Sequence, residues 1–329
     1  MKKNILTIVA LFLIGFANGQ VTNVKADFSC PSGITVTYDA PTSGNATLYY
    51  SPDNGTTWLE AKTVTKTGNT IVWDNKADNV SFGQFRLKVE VPTPTLGECT
   101  VNSTLPVGKL TFLCYNLGAD PNMSIEQQMA YTPNPNTVGT TDSKVYGDLY
   151  QWGRNTDGHE KRTSSTTTTL ATTNTPGHGN FISAPNTPYD WRSGGVQTSR
   201  WGDGTSNAKM PKAANDPCPA GYRLPTQQEW ASIYNGMNGI NTWTWNSTGT
   251  PGYKISTDNG TTTALFLPAA GYRFYRNGTL YNAGTDGNYW SSTVDGEYSF
   301  ILYFSNGYVN PSLNFNRAYG MSVRCLAEY

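Results

Sequence analysis

Short runs in which every second residue is apolar constrain this chain more than any other feature. Phe85, Leu87, Val89 and Val91 alternate with Arg86, Lys88 and Glu90. Ile34, Val36 and Tyr38 repeat the pattern, and Ile71-Val72-Trp73 adds a third run. Further on, Leu110, Phe112 and Cys114 alternate, as do Phe300, Leu302 and Phe304 against Ile301, Tyr303 and Ser305. A period of two puts each set of side chains on one face of a strand. The chain is therefore expected to be built from half-buried strands. Charged residues make up only 14 % of it and aromatic ones 12 %, which reads as β-rich, loop-rich extracellular material and is too aromatic for disorder. The 23 Lys and Arg balance 23 Asp and Glu, so there is no electrostatic footprint for nucleic acid or an anionic membrane.

Lys2 and Lys3 precede an apolar run from Ile5 to Ala17, and Ala17-Asn18-Gly19 supplies the small residues of a cleavage site. Residues 1–19 are expected to be a signal peptide, with the mature chain starting near Gln20 and no lipid-anchoring cysteine there. The protein is expected at the cell surface, in the periplasm or secreted, with no transmembrane segment. The remaining length suits two domains. Residues 20–106 read as a β-sandwich and 107–329 as a second domain, with Pro92-Thr93-Pro94 and the stretch to Gly108 marking the join. In the first, Ser51-Pro52-Asp53-Asn54-Gly55-Thr56-Thr57-Trp58 is expected to form an Asp-box hairpin, a structural turn and not a sugar-cleaving site. In the second, residues 155 to about 210 are poor in aliphatics and read as loop outside the core. Thr226 and Glu229, ahead of Trp230, form a capping box that starts a helix and leaves Glu229 no catalytic role.

The five cysteines, Cys30, Cys99, Cys114, Cys218 and Cys325, should pair in an oxidising compartment and leave one over. Cys30 and Cys99 flank the first domain and are expected to bridge; connectivity among the other three stays open. Their spacing resembles no zinc site, and the two histidines, His159 and His178, sit in Gly-flanked loops expected to face solvent. No metal or other cofactor is expected. Calcium stays open for a lectin-like fold, but no calcium-site motif supports it.

Cys218-Pro219-Ala220-Gly221-Tyr222-Arg223-Leu224-Pro225-Thr226, Leu267-Pro268-Ala269-Ala270-Gly271, Gly287-Asn288-Tyr289-Trp290-Ser291-Ser292-Thr293 and Ser322-Val323-Arg324-Cys325 occur in an order that resembles the Fibrobacter succinogenes major paralogous domain. The resemblance covers roughly residues 108 to 329. It implies an α+β chain: an Ig- or fibronectin-like β-sandwich, then a C-type-lectin-like domain with long loops. From Gly271 onward the sequence also resembles the variable region of Bacteroides-type proteins diversified by retroelements, in which Asn codons mutate at their adenines. That resemblance implies a variable-type surface over residues 271–320. Its ligand-binding positions would be Tyr272, Phe274, Tyr275, Tyr281, Asp286, Tyr298, Ile301, Tyr303, Ser305, Tyr308, Leu313, Phe315 and Tyr319. Each holds a residue that an AAC codon reaches by changes at its adenines. On the strand Ser299 to Ser305, Ile301, Tyr303 and Ser305 are expected to face outward.

Together these readings describe an exported ligand-binding or adhesion protein and not an enzyme, with an unidentified protein or glycan partner. Tyr on a rigid frame offers apolar area, a hydroxyl and few torsions to freeze. A structural surface or pilus-tip subunit, assembling with other surface components, is the alternative. A formylglycine-generating-like enzyme is a weaker one, because of the cysteines only Cys325 lies where that chemistry needs a reactive pair.

Overall fold

The computed structural model describes residues 22–27, 33–39, 47–53, 55–67, 70–80, 86–90, 97–133, 142–195 and 197–329. The expected signal peptide, Cys30, Asn54, Phe85, Val91 and Pro92-Thr93-Pro94 lie outside them. The chain divides into two compact units, Met1–Thr95 and Leu96–Tyr329.

In the first unit one antiparallel sheet runs in the order Thr22–Asp27, Ile34–Asp39, Thr70–Trp73, Val64–Thr67, and a second in the order Leu59–Glu60, Thr47–Ser51, Arg86–Glu90. The period-two pattern decides what each buries. Ile34, Val36, Tyr38, Ile71 and Trp73 of one sheet meet Leu48 and Val89 of the other in a single cluster. Val72, between two buried neighbours, is exposed. The Asp-box turn forms as expected: Gly55 N–H donates to Ser51 Oγ at 2.7 Å and Thr57 N–H to Asp53 Oδ1 at 2.7 Å. Gly55 sits at φ +101°, where a side chain would be strained.

The second unit is also mostly strand. A meander of Asp286–Asp295, Tyr298–Ser305 and Tyr308–Asn316 forms its longest strands. Around it lie a two-stranded parallel sheet, Thr166–Thr167 with Phe181–Ile182, and three larger sheets. Thr242–Asn246, Gly252–Ser256 and Leu265–Pro268 form one; Tyr222–Arg223, Leu326–Ala327, Lys109–Leu113 and Glu98–Asn102 form another. The third runs Tyr150–Gln151, Gly320–Met321, Tyr272–Arg273, Leu280–Tyr281. Among the described residues the α-helices are Ile125–Ala130 and Gln227–Ser232, six residues each. The described residues are thus β-rich, and the helical share of the expected α+β class is small. The Thr226 cap is present, with Glu229 N–H donating to Thr226 Oγ1 at 3.2 Å and Thr226 N–H to Glu229 Oε2 at 2.8 Å. Glu229 is further held by Arg223 at 2.5 and 2.8 Å.

Three other expectations change. Cys99 bonds Cys114, not Cys30, and Cys218 bonds Cys325. The reason is register: Glu98–Asn102 pairs with Lys109–Leu113, Cys99 opposite Phe112, which brings the Cys99 and Cys114 Cα atoms to 5.1 Å, a bridging distance. That same strand, read from sequence as first-domain material, belongs to the second unit. Residues 155–210 are irregular but not outside the core, since Phe181, Ile182, Trp191, Trp201 and Met210 are buried. Aromatics and guanidiniums replace aliphatics there. Arg200 lies 5.4 Å from the Trp152 ring and 5.0 Å from that of Trp191 while ion-paired to Asp190. An Asp-box also recurs in Ser256-Thr257-Asp258-Asn259-Gly260-Thr261-Thr262, with Gly260 N–H to Ser256 Oγ at 2.9 Å and Thr262 N–H to Asp258 Oδ1 at 2.9 Å. The same turn thus occurs in both units among the described residues.

Candidate recognition surface

The meander has a core on each face. Tyr289, Leu302, Phe304 and Val309 point into a cluster with Trp230 and Phe112, whereas Trp290 and Ile301 join Tyr150, Trp152 and Met321 in another. Tyr289 and Trp290 pin the strand from opposite sides. The Tyr289 hydroxyl donates to Pro268 O at 2.7 Å, and Trp290 Nε1 donates to Tyr150 O at 2.7 Å. Gly287 is required because a Cβ there would fall 2.0 Å from the Phe304 ring. Arg324 is fully buried without a carboxylate; its nitrogens donate to Asn116 Oδ1, Leu113 O and Phe266 O at 2.9–3.0 Å. Burial holds its pKa down to about 10, which leaves it charged at neutral pH. Next to the meander, Gly271 turns the chain at φ +69°, and a Cβ would lie 2.2 Å from Tyr281 O. That turn sets Tyr272 opposite Tyr281.

On this frame the structure brings most of the implied ligand-binding residues together. Ring centroids of Tyr272 and Tyr281 are 5.9 Å apart, and Tyr272 lies 5.6 Å from Tyr319. Phe274 is 4.9 Å from Tyr275, 5.8 Å from Tyr281 and 5.7 Å from Tyr319. Tyr319 also touches Tyr275 at 4.8 Å and Phe315 at 5.4 Å. Tyr303 and Tyr308 form a second pair at 6.0 Å. Asp286 lies opposite Ser305, and Ser305 opposite Tyr308, in adjoining strands. Leu313, half-buried, stands opposite Ile301. The rings thus form a ledge in which Tyr281 and Tyr308 are 42 % and 49 % exposed, while Tyr272, Phe274, Tyr303, Phe315 and Tyr319 are half-buried.

Three residues do not fit the expected surface. Ile301 is 0 % exposed, because the face expected to point outward is covered by the second cluster at mid-strand and opens only toward Tyr303 and Ser305. Tyr275 is almost buried, packed against Ala184 and Ala318. Tyr298 is exposed but stands at the far end of its strand, paired with Asp295 and Asn316. Sequence reading also missed Tyr189, whose ring meets Tyr275 at 5.9 Å; it lies in an irregular segment where no periodicity points to it.

Among the described residues, Asp157, His159 and Glu160 form a cluster whose atoms could hold a metal. Both ring nitrogens of the histidine are spent internally, and Glu160 Oε2 accepts from Gly158 N–H at 2.9 Å. His159 Nδ1 is 2.7 Å from Asp157 Oδ1, and Nε2 accepts from Gln151 N–H at 3.0 Å. The ring is therefore the Nδ1-protonated tautomer, and burial holds its pKa below the usual histidine range. His159 is buried, against the expectation of a solvent-facing ring, while His178 is exposed.

A family model described as the Fibrobacter succinogenes major domain matches residues 115–327. No curated protein and no solved structure matches the chain.

Proposed function

Because the chain belongs to the Fibrobacter succinogenes major domain family, we propose that it is an exported binding protein whose second unit is a C-type-lectin-like scaffold presenting the aromatic ledge to a protein or glycan. The observation that carries this reading is the run of ring contacts from Tyr281 through Tyr272 and Tyr319 to Phe315, on a backbone fixed by bonds made elsewhere. An exposed aromatic patch of this kind suits burial by a partner. Each ring anchored at the centre of an interface contributes about 2 kcal/mol or more. The two disulfides fit an oxidising compartment. Non-enzymatic action is supported by Cys325, whose thiol is tied to Cys218. Retroelement diversification is supported by the residue types along the ledge, with Ile301 left out of the variable set because it lies in the core.

The test is a glycan and protein array probed with the chain from Gln20 and with a variant carrying Tyr272→Ala, Tyr281→Ala, Tyr303→Ala and Tyr308→Ala. The reading expects folded protein in both and at least about a hundredfold weaker binding in the variant. Unchanged binding places the site elsewhere and favours a structural surface subunit. For diversification, a near-copy of the last coding segment beside a reverse-transcriptase gene, differing at adenines, is the expected finding.

A further inference from the structure

We propose that the ledge takes its ligand by an organic cation, an alkylammonium or guanidinium group, seated on Asp286 between two pairs of tyrosine rings. This rests on the reading of the ledge as a recognition surface and names the chemistry it recognises. Asp286 is held rigidly: its N–H donates to Asn282 O at 2.9 Å, and its C=O accepts from Gly271 N–H at 2.8 Å. Asn282 Nδ2 donates to the Asp286 carboxylate at 2.7 Å. Tyr272 and Tyr281 come from the turn on one side, Tyr303 and Tyr308 from the meander on the other. Burial and then the Asp286 charge raise the pKa of both the Tyr272 and Tyr303 hydroxyls, consistent with a carboxylate close to both.

Charge matching gives the argument its direction. Of the buried acids, Asp148, Asp190, Asp216 and Glu229 each face a cation, Lys161, Arg200, Lys212 and Arg223, and Glu160 lies 3.8 Å from Lys161 as well. Asp286 is half-buried among rings and takes part in none of the ion pairs among the described residues. Arg276 is exposed but donates to the Tyr275 hydroxyl at the other end of the ledge, and the Arg273 side chain is occupied by Gly278 O and Ser164. A ligand that covers the ledge strips water from Asp286. An uncharged ligand leaves that cost standing, whereas a cation offsets it and also gains from tyrosine faces within about 6 Å.

Choline and its uncharged isostere 3,3-dimethylbutan-1-ol, with methyl glucoside as a sugar control, distinguish the cases when titrated into the full chain under tyrosine-ring NMR. Choline is expected to bind at least about tenfold more tightly than the isostere. That preference should weaken with added salt and disappear in Asp286→Asn with no change in melting temperature. Equal binding of choline and the isostere, or a stronger response to the glucoside, overturns the inference while leaving the ledge a recognition surface. Failure of all three probes to shift the rings also overturns it, and the array comparison then decides the broader reading separately.

Discussion

Ile301 and Tyr303 project from the same face of one strand, two residues apart, yet Ile301 is 0 % exposed beside Trp290 and Met321 while Tyr303 is half-buried at the rim, in ring contact with Tyr308. The boundary between scaffold and surface therefore runs across a single strand face. Ile301→Ala should cost about 2–5 kcal/mol, since it leaves a cavity that packed neighbours fill poorly. Tyr308→Ala should stay within about 1 kcal/mol. Urea titration of the two variants reads the difference, and similar losses would mean that the rim is core.

The bridge between Cys218 and Cys325 spans a sequence separation of 107 residues and joins the segment before the helix Gln227–Ser232 to the end of the chain. Replacing both cysteines by Ala should destabilise the second unit by about 2–5 kcal/mol. Calorimetry with and without reductant checks this; reductant should have little further effect on the Cys218–Cys325 contribution in the variant.

Arg223 and Glu229 are buried together, and the Tyr329 hydroxyl also donates to Glu229 at 2.8 Å. Burial alone would raise the Glu229 pKa, but its hydrogen bonds to Arg223 more than offset this and hold it below the ordinary glutamate value. Arg223→Ala strands a carboxylate and should cost about 3–5 kcal/mol. Adding Glu229→Gln to that variant should recover part of the loss, a non-additivity that a double-mutant cycle measures.

Both Asp-box carboxyls are bonded in the ionised form. Thr57 hydrogen bonds lower Asp53 to about 2, and the Ser256 hydroxyl followed by Thr262 lowers Asp258 to about 2, from an ordinary 3.8. Because the folded values lie below the unfolded one, what these groups contribute is fully present above about pH 4 and lost as pH falls toward about 2. Carboxyl NMR titration should find both midpoints near 2; ordinary midpoints would mean that the turns are open.

What could be read from sequence was whatever local chemistry decides. Thr226 and Glu229 cap a helix through their own backbone neighbours, and Ile34, Val36, Ile71 and Trp73 declare their burial by alternation. The Cys99 partner could not be read this way, because it depends on pairing between two strands across a presumed domain boundary. Trp191 and Trp201 were missed because their burial goes with a guanidinium contact at Trp191 and an indole bond from Trp201 to Asn215 O, neither of which a period encodes. At the ledge, Tyr272, Tyr281, Tyr303 and Tyr308, singled out by residue type, are half-buried or exposed, but the outward face assigned to Ile301 lies under the second cluster, which closes over mid-strand.

The account turns on whether the rings can change while the chain path stays put. A protease-resistance scan of every substitution from Gly271 to Cys325 measures this directly. Tyr281, Tyr303 and Tyr308 should accept Ala, Ser, Asn and Asp with losses within about 1 kcal/mol, while Trp290, Ile301, Leu302, Phe304 and Arg324 lose about 2 kcal/mol or more. Equal intolerance at both sets would show that the tyrosines hold the fold together and would contradict the account.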